Sequence, residues 1–523
     1  MVEVRNIENK RIARNTALLY VRLTVVLLIS LYTTRLVLKA LGVVDYGIYE
    51  VVGGIVTIFS VLNSTLSNGA NRFINVEKGK GNNGRLNEVF TNSVITQACL
   101  AIVIVVLVET IGLWYLNNKL VLPDNRLTAA NWVLQLSALS FVFMIMQAPY
   151  SAIILSYERM DFYAVVSIAC AIVKFSGVIL LTLCSGDALV LYGLLMALVS
   201  LINFLLYYAY CKVKFDHIKL CRKIDKPLLS EMTSFAGWNI LDPLAYTIRG
   251  QGSNMVLNFF FGPVLNAAYG VSNQVAVAFD QFAVQLGLAF RPQLIQSYAA
   301  GNEKRSISLM YAMSKFSFAL QLMLCVPLIL NLPFILGMWL GETNVPIYTV
   351  EFTTFILIVK TINTLNSPIS TLVLAIGHIK RYMITTSLIV SSILPLSLLF
   401  LSFGSTPVII YVIMLILTIF NQFACVVILS KLAPFFDVRK YLANVILPVV
   451  GLSLVTIMPT LALSAIVTNP IARFFGVCVS SMLLTAFYTY FIFLSYHQRK
   501  LVTEFVKHGR SQYLKRKEQN IKY

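Results

Sequence analysis

The sequence predicts an all-α integral membrane protein of about fourteen transmembrane helices, twelve of them forming two parallel six-helix repeats. Three observations predict it. Of 523 residues, 58% are hydrophobic and only 12% charged, with a mean hydropathy of +0.79, whereas soluble domains carry about 25% charged residues. The apolar residues come in runs long enough to cross a bilayer, which takes about 20 residues. The basic residues crowd into alternate connecting segments, as in multi-pass membrane proteins. Long runs, in place of short segments of alternating polarity, exclude an outer-membrane barrel.

The elements follow in order. The polar start "MVEVRNIENKRIARN" leads straight into a span too long for a signal-peptide core, so no cleavable leader is expected. Spans fall near residues 16–38, 44–66, 89–116, 131–155, 162–185, 188–211, 232–260, 264–290, 306–338, 350–376, 382–403, 408–431, 441–466 and 473–496. No connecting segment is long enough for a soluble domain. With the N-terminus in the cytoplasm, about 31 of the 41 Lys and Arg lie in cytoplasmic segments. Lys39, Lys119, Arg126 and Arg473 lie outside, and the remainder lie within spans. The net charge of +19 therefore reads as an orientation signal that places both termini inside, and nucleic acid is not an expected partner. Eight scattered cysteines without a C-x-x-C pair, and four distant histidines, support neither a disulfide framework nor a zinc site.

The chain carries a weak copy of itself at an offset of about 220. "LGVVDYGIYEVV" aligns with "FGPVLNAAYGVS", placing Gly42 on Gly262 and Tyr49 on Tyr269. "EKGKGNNGR" aligns with "SYAAGNEKR", placing Gly81 on Gly301, Asn82 on Asn302 and Arg85 on Arg305. An even number of spans per unit makes the halves parallel repeats, with the substrate site expected between them near the midplane. The expected organisation is an N-terminal lobe at 1–220, a C-terminal lobe at 221–440, two additional helices at 441–496 and a basic cytoplasmic tail at 497–523. The tail reads as an orientation signal that also touches anionic lipid.

Six bases lie within spans: Arg22, Arg35, Lys174, Arg249, Lys315 and Lys360. Against them stand Glu109, Asp242 and Asp280, with Glu50 and Glu351 nearer the outer rim. A charge at the bilayer centre costs about 2.5–3.5 kcal/mol, so these groups are expected to face protein or water, or to snorkel. All six are candidate substrate-binding cations of a cavity. For Arg22, near the cytoplasmic end, snorkelling is the alternative. Arg35 and Lys39 share a face at the outer end, where pairing with Asp45 is the alternative. Lys174 and Arg249 are too deep to snorkel, which points to a cavity, and Lys360 is similar; Lys315 is intermediate. Asp242 and Arg249 are seven residues apart, so an unbroken helix presents both on one face and an ion pair competes with a cavity role. Pro243, Gly250 and Gly252 are expected to loosen this stretch into a bendable cavity wall. A surplus of bases favours an anionic passenger such as a pyrophosphate. Asp242 and Asp280 are the candidates for a coupling ion and Pro243 for gating.

"GKGNNGR" spaces its glycines like a P-loop, but Arg85 and Leu86 replace the lysine and the hydroxyl residue, and no strand precedes it. Nucleotide binding is rejected. The stretch "NTALLYVRLTVVLLISLYTTRLVLKALGVVDYGIYEVVGG" resembles Wzx-type polysaccharide flippases, through the Asn15-Thr16 start, Arg35 and the turn from Leu41 to Tyr49. That superfamily also holds the multidrug and toxin extrusion (MATE) transporters and the lipid II flippase. The resemblance implies two six-helix lobes around a central cavity, and two additional C-terminal helices. It further implies transfer of a polyprenyl-pyrophosphate-linked oligosaccharide between the leaflets of a bacterial inner membrane, for O-antigen or capsule. Proton or sodium coupling, contact with other polysaccharide assembly proteins, and no cofactor or metal complete that expectation. The alternative is a MATE-type exporter of small organic cations, which needs acids to dominate the cavity. A membrane polymerase or ligase is disfavoured, because the longest outer loop, "NNKLVLPDNR", lacks an acid–base pair.

Overall fold

The computed structural model describes residues 2–79, 83–183, 185–221, 225–230, 232, 240–377, 379–494 and 499, and every regular element among them is helical. Val2–Thr57 (α1) is one long stretch broken at Gly42, where φ 76° and ψ 172° suit only glycine. Then come Ser60–Gly79 (α2), Asn83–Leu107 (α3), a π turn at Val108–Gly112, Leu113–Asn118 (α4), Leu127–Ser156 (α5), Met160–Leu181 (α6) and Ala188–Lys214 (α7). The later chain gives Leu241–Phe261 (α8), Pro263–Ala299 (α9), Glu303–Leu330 (α10), Leu332–Leu340 (α11), Thr349–Asn363 (α12) and Asn366–Ile376 (α13). It ends in Ile379–Ser391 (α14), Ile393–Ser402 (α15), Ile409–Leu432 (α16), Val438–Tyr441 (α17), Leu447–Ile466 (α18) and Pro470–Tyr488 (α19). Several starts are legible in the sequence. Asp187, Asn302 and Asn469 each accept hydrogen bonds from the first amides of α7, α10 and α19.

Eleven stretches among the described residues are long and apolar enough to cross a membrane. Large apolar side chains such as Phe403, Phe475 and Phe487 are exposed at 61–78%, which in a multi-pass protein is the surface facing lipid. The expected spans that do not stand out lie near 44–66, 232–260 and 264–290, the last two carrying Arg249, Asn254, Asn258, Asn266, Gln274 and Asp280.

The described residues fall into two compact units, the first from Met1–Gln274, Leu336–Phe352 and Met383–Met414, the second from Val275–Ile335, Thr353–Tyr382 and Leu415–Tyr523. In the first unit, the internal repeat becomes geometry. Gly262 repeats the backbone of Gly42, with φ 76° and ψ −173°. Residues also meet their own counterparts across the offset of 220. A Cβ on Gly47 would lie 1.8 Å from the Pro263 carbonyl oxygen and 3.2 Å from the Ala267 amide nitrogen. A Cβ on Gly270 would lie 2.7 Å from Cδ of Glu50. Thr34 Oγ1 donates to Gln274 Oε1 at 2.6 Å, and the exchanged pair is Gly54 against Asn254, whose Nδ2 would stand 3.3 Å from a Cβ. Reciprocal contacts of this kind mark a local two-fold axis.

Amides hold this meeting point. Asn254 Nδ2 donates to the Glu50 carbonyl at 3.1 Å, Asn266 Nδ2 to Asn254 Oδ1 at 2.7 Å, and Asn258 Nδ2 to Asn266 Oδ1 at 2.9 Å. All three asparagines are buried, so each unmade bond here carries a desolvation cost. Asn258 Oδ1 also accepts from the Val121 amide at 2.9 Å, pinning the segment before α5. At the same end, Trp339 Nε1 donates to the Leu31 carbonyl at 2.8 Å, and Arg126 binds both Asp45 and Asp187. Asp45 thus pairs with Arg126, not with Arg35 or Lys39, because the α4–α5 connection brings the guanidinium over it.

Polar bonds between separate helices also join the second unit. Gln321 Nε2 donates to the Phe279 carbonyl at 3.1 Å, Ser481 Oγ to the Met323 carbonyl at 3.0 Å, and Arg473 Nε to Asn331 Oδ1 at 3.2 Å. Phe318, Leu322, Ile358, Ile457 and Leu461 are among the residues lining an apolar cavity of about 440 Å³ between α10, α12 and α18.

Candidate functional site

The structure distributes the six predicted bases over both units. Arg22 on α1 stacks its guanidinium 4.5 Å from the Tyr163 ring centroid. Arg249 on α8 lies 5.0 Å from the Tyr246 ring. In both, Nε is buried with no hydrogen-bond partner among the described residues. Arg35 is exposed and donates to the Met338 carbonyl at 3.3 Å. Lys315 in the second unit donates to the Phe493 carbonyl at 3.4 Å, where it complements the C-terminal end of the last helix. Lys360 pairs with Asp280 at 2.7 Å. These two candidates therefore neutralise each other, with 26% and 36% of their side chains accessible.

The stretch 241–254 corrects the expectation of irregular backbone. Helix α8 is unbroken from Leu241 to Phe261. Pro243 sits in its first turn, where the missing N–H has no carbonyl to serve and the ring causes no kink. Gly250 and Gly252 are ordinary helical residues that permit close approach: a Cβ on Gly252 would lie 2.5 Å from Leu394 Cδ1, and one on Gly250 3.4 Å from the Tyr269 hydroxyl. Asp242 lies on the same helical face as Arg249 by spacing; its side chain lies outside the described residues, as do those of Asn15 and Thr16.

What the sequence did not single out is Glu50. Tyr46 lies one turn earlier on the same helical face, and the charge of Lys174 on α6 reaches the Glu50 carboxylate. Gly270 leaves the notch in which the Glu50 side chain lies. Tyr269, beside Gly270, interacts with both Glu50 and Arg249. Tyr192 packs edge-on against Tyr49 at 4.6 Å and also feels the Glu50 charge. One carboxylate, one lysine, one arginine and a shell of tyrosines are thereby joined where the two repeats meet, all within the first unit. The tyrosines Tyr46, Tyr192 and Tyr269 are buried at 4–7% exposure. A charge network sheltered this way is strong in the low-dielectric interior and is expected to respond to whatever charge enters it. The signal available beforehand was the alignment of Glu50 with a glycine in the repeat.

Among the described residues, the buried Nε–H groups of Arg22 and Arg249 meet no acceptor. That is the chemistry of an anion site, since charge-assisted bonds from Arg to phosphate oxygens are among the strong ones. Glu50 provides a carboxylate beside them that a cation could approach.

Comparison with known proteins places this geometry. A family model described as "Polysaccharide biosynthesis protein" matches residues 12–289. No curated protein matches the chain significantly. Among solved structures, the chain is similar to "Lipid II flippase MurJ, inward closed conformation", at 14% identity and a TM-score of 0.68, over 91% of this chain and 98% of that one. It is similar to an inward-facing MATE multidrug transporter of the MOP superfamily at 14% identity and a TM-score of 0.63, over 80% and 99% of the two chains. An outward-facing MATE transporter of the same superfamily matches at 11% identity and 0.52, over 78% and 96%. At these identities the likeness is one of fold, and it is that of all-α membrane transporters.

Proposed function

Because the chain belongs to the polysaccharide biosynthesis protein family, which its residues 12–289 match, we propose that it is a flippase for polyprenyl-pyrophosphate-linked oligosaccharide. It carries the passenger from the inner to the outer leaflet of a bacterial cytoplasmic membrane, supplying O-antigen or capsule assembly. One observation carries the reading within this family. The buried Nε groups of Arg22 and Arg249 have no partner among the described residues, although each base costs about 2.5–3.5 kcal/mol at membrane depth. A passenger with a pyrophosphate offsets that cost only while it is bound.

The two six-helix repeats, 1–220 and 221–440, act as the lobes of an alternating-access device, with 441–496 as accessory helices and 497–523 as a basic tail. With both termini cytoplasmic, the contacts of Trp339 with Leu31 and of Arg35 with Met338 seal the outer end. Opening outward breaks them. Glu50, together with Asp280 in its pair with Lys360, supplies the carboxylates at which a proton or sodium ion couples to the cycle.

A second reading is favoured by the same carboxylate. A MATE-type exporter exchanges an organic cation for a coupling ion at a buried acid, and Glu50 is such an acid. The two are separated in proteoliposomes by following a fluorescent polyprenyl-pyrophosphate oligosaccharide to the opposite leaflet, in wild type and in Arg22→Ala and Arg249→Ala. Flipping that either substitution reduces by at least about tenfold, the size of one lost charge-assisted bond, is the expected result. Absence of flipping, with gradient-driven uptake of an organic cation, establishes the exporter instead.

A further inference from the structure

A cavity of about 400 Å³, lined by neither arginine, lies inside the first unit between α5, α7 and the part of α1 that follows Gly42. Its volume is within the range of ligand sites, about 300–1,000 Å³. Most of its lining side chains bear a hydroxyl or an amide, and none is charged. Ser137, Ser140 and Gln147 recur at intervals of three and seven on α5, and Ser200 and Asn203 at three on α7. Those intervals put each set on one helical face. In a membrane helix such a stripe is costly unless it meets polar partners.

We propose that this cavity binds a neutral sugar residue of the passenger. The inference rests on the flippase reading and names a subsite for it. Asn203 Nδ2 donates to Gln147 Oε1 at 3.0 Å, across the gap between α7 and α5. That bond orients both amides and engages only the Asn donor and the Gln acceptor. The Gln147 N–H₂ and the Asn203 carbonyl oxygen remain as an adjacent donor and acceptor, the complement of neighbouring sugar hydroxyls. Tyr49, steadied by its edge contact with Tyr192 at 4.6 Å, adds an aromatic surface for the C–H face of a ring. The lining does not suit the pyrophosphate, which needs arginine or lysine; neither lines the cavity. The cavity neighbours the charged cluster through Tyr49, which flanks Glu50, so a sugar seated here lies beside the coupling network.

The test uses purified full-length protein and two probes. Free N-acetylglucosamine is observed by saturation-transfer NMR, with glucuronate as its charged counterpart. Flipping of the lipid-linked oligosaccharide is followed separately in proteoliposomes. The variants are Gln147→Leu, Asn203→Leu and the milder Ser137→Ala with Ser200→Ala, each checked for an unchanged unfolding midpoint. Binding of the neutral sugar by wild type, weakened about tenfold by Gln147→Leu or Asn203→Leu and less by the serine pair, supports the proposal. Weaker binding of glucuronate supports it further. No signal in wild type, or a signal equal in all variants, overturns it, even if the lipid probe is flipped. Sugar binding that the variants abolish, in a protein that flips no lipid-linked probe, keeps the cavity assignment and removes the flippase reading.

Discussion

Gly47→Ala should damage the meeting of the two repeats more than any other single methyl group. The added Cβ would stand 1.8 Å from the Pro263 carbonyl oxygen and 2.7 Å from its carbon, where real contacts stay above 3.0 Å. Both obstacles are backbone, so no side chain can swing away. Relief requires α1 to move from α9 by about 1.2 Å, which exceeds what a packed interior absorbs without strain. The same movement stretches the bond from Thr34 to Gln274, now 2.6 Å, and that from Asn254 to the Glu50 carbonyl, now 3.1 Å. Overpacking costs about 1–3 kcal/mol, and two lost bonds add about 1 kcal/mol each, giving about 3–5 kcal/mol. Gly53→Ala is the matched control, because its Cβ would meet nothing within 4 Å, and a helical Gly→Ala there should stabilise by about 0.4–1 kcal/mol. Denaturant unfolding in detergent, followed by tryptophan fluorescence, reads both. Equal midpoints for the two variants would refute the close approach of α1 to α9, and with it the local two-fold axis.

Other expected outcomes follow from the same contacts. Asn258→Leu leaves the Val121 amide and Asn266 without their partner, so stability should fall by about 2–4 kcal/mol, with proteolysis near residue 121 accelerated. Lys360→Met strands Asp280, whereas Lys360→Met combined with Asp280→Leu removes both charges. The double variant should be more stable than the single one in a double-mutant cycle, by a margin kept to about 1–2 kcal/mol by their partial exposure. Outside the membrane segments, the Leu228 amide and then Arg85 hold the Asp225 carboxyl below the usual carboxylate range. A depressed folded-state value stabilises at higher pH and is lost as pH falls through it. Wild type should therefore lose midpoint temperature on acidification below about pH 4, and Asp225→Asn should flatten that part of the profile. Trp339→Phe removes the donor to Leu31 and should increase labelling of a cysteine placed at position 31 from the outer side.

The sequence by itself determined the class of this protein, because the bilayer imposes length, hydropathy and charge asymmetry on every span in turn. It also revealed the repeat, since a backbone conformation such as that of Gly42 and Gly262 demands glycine at both copies. Arg249 was legible as a base too deep to snorkel, whereas Arg22, near the cytoplasmic end, was not set apart from a snorkelling side chain. Which charges meet was not legible. Asp45 chose Arg126, Asp280 chose Lys360, and Glu50 found the notch at Gly270. Such pairings depend on which faces of distant helices turn together, and a helix's own periodicity says nothing of its neighbour's. Pro243 shows the same limit from the other side. A proline breaks a helix interior but starts one without cost, and only the tertiary structure decided that α8 begins at Leu241.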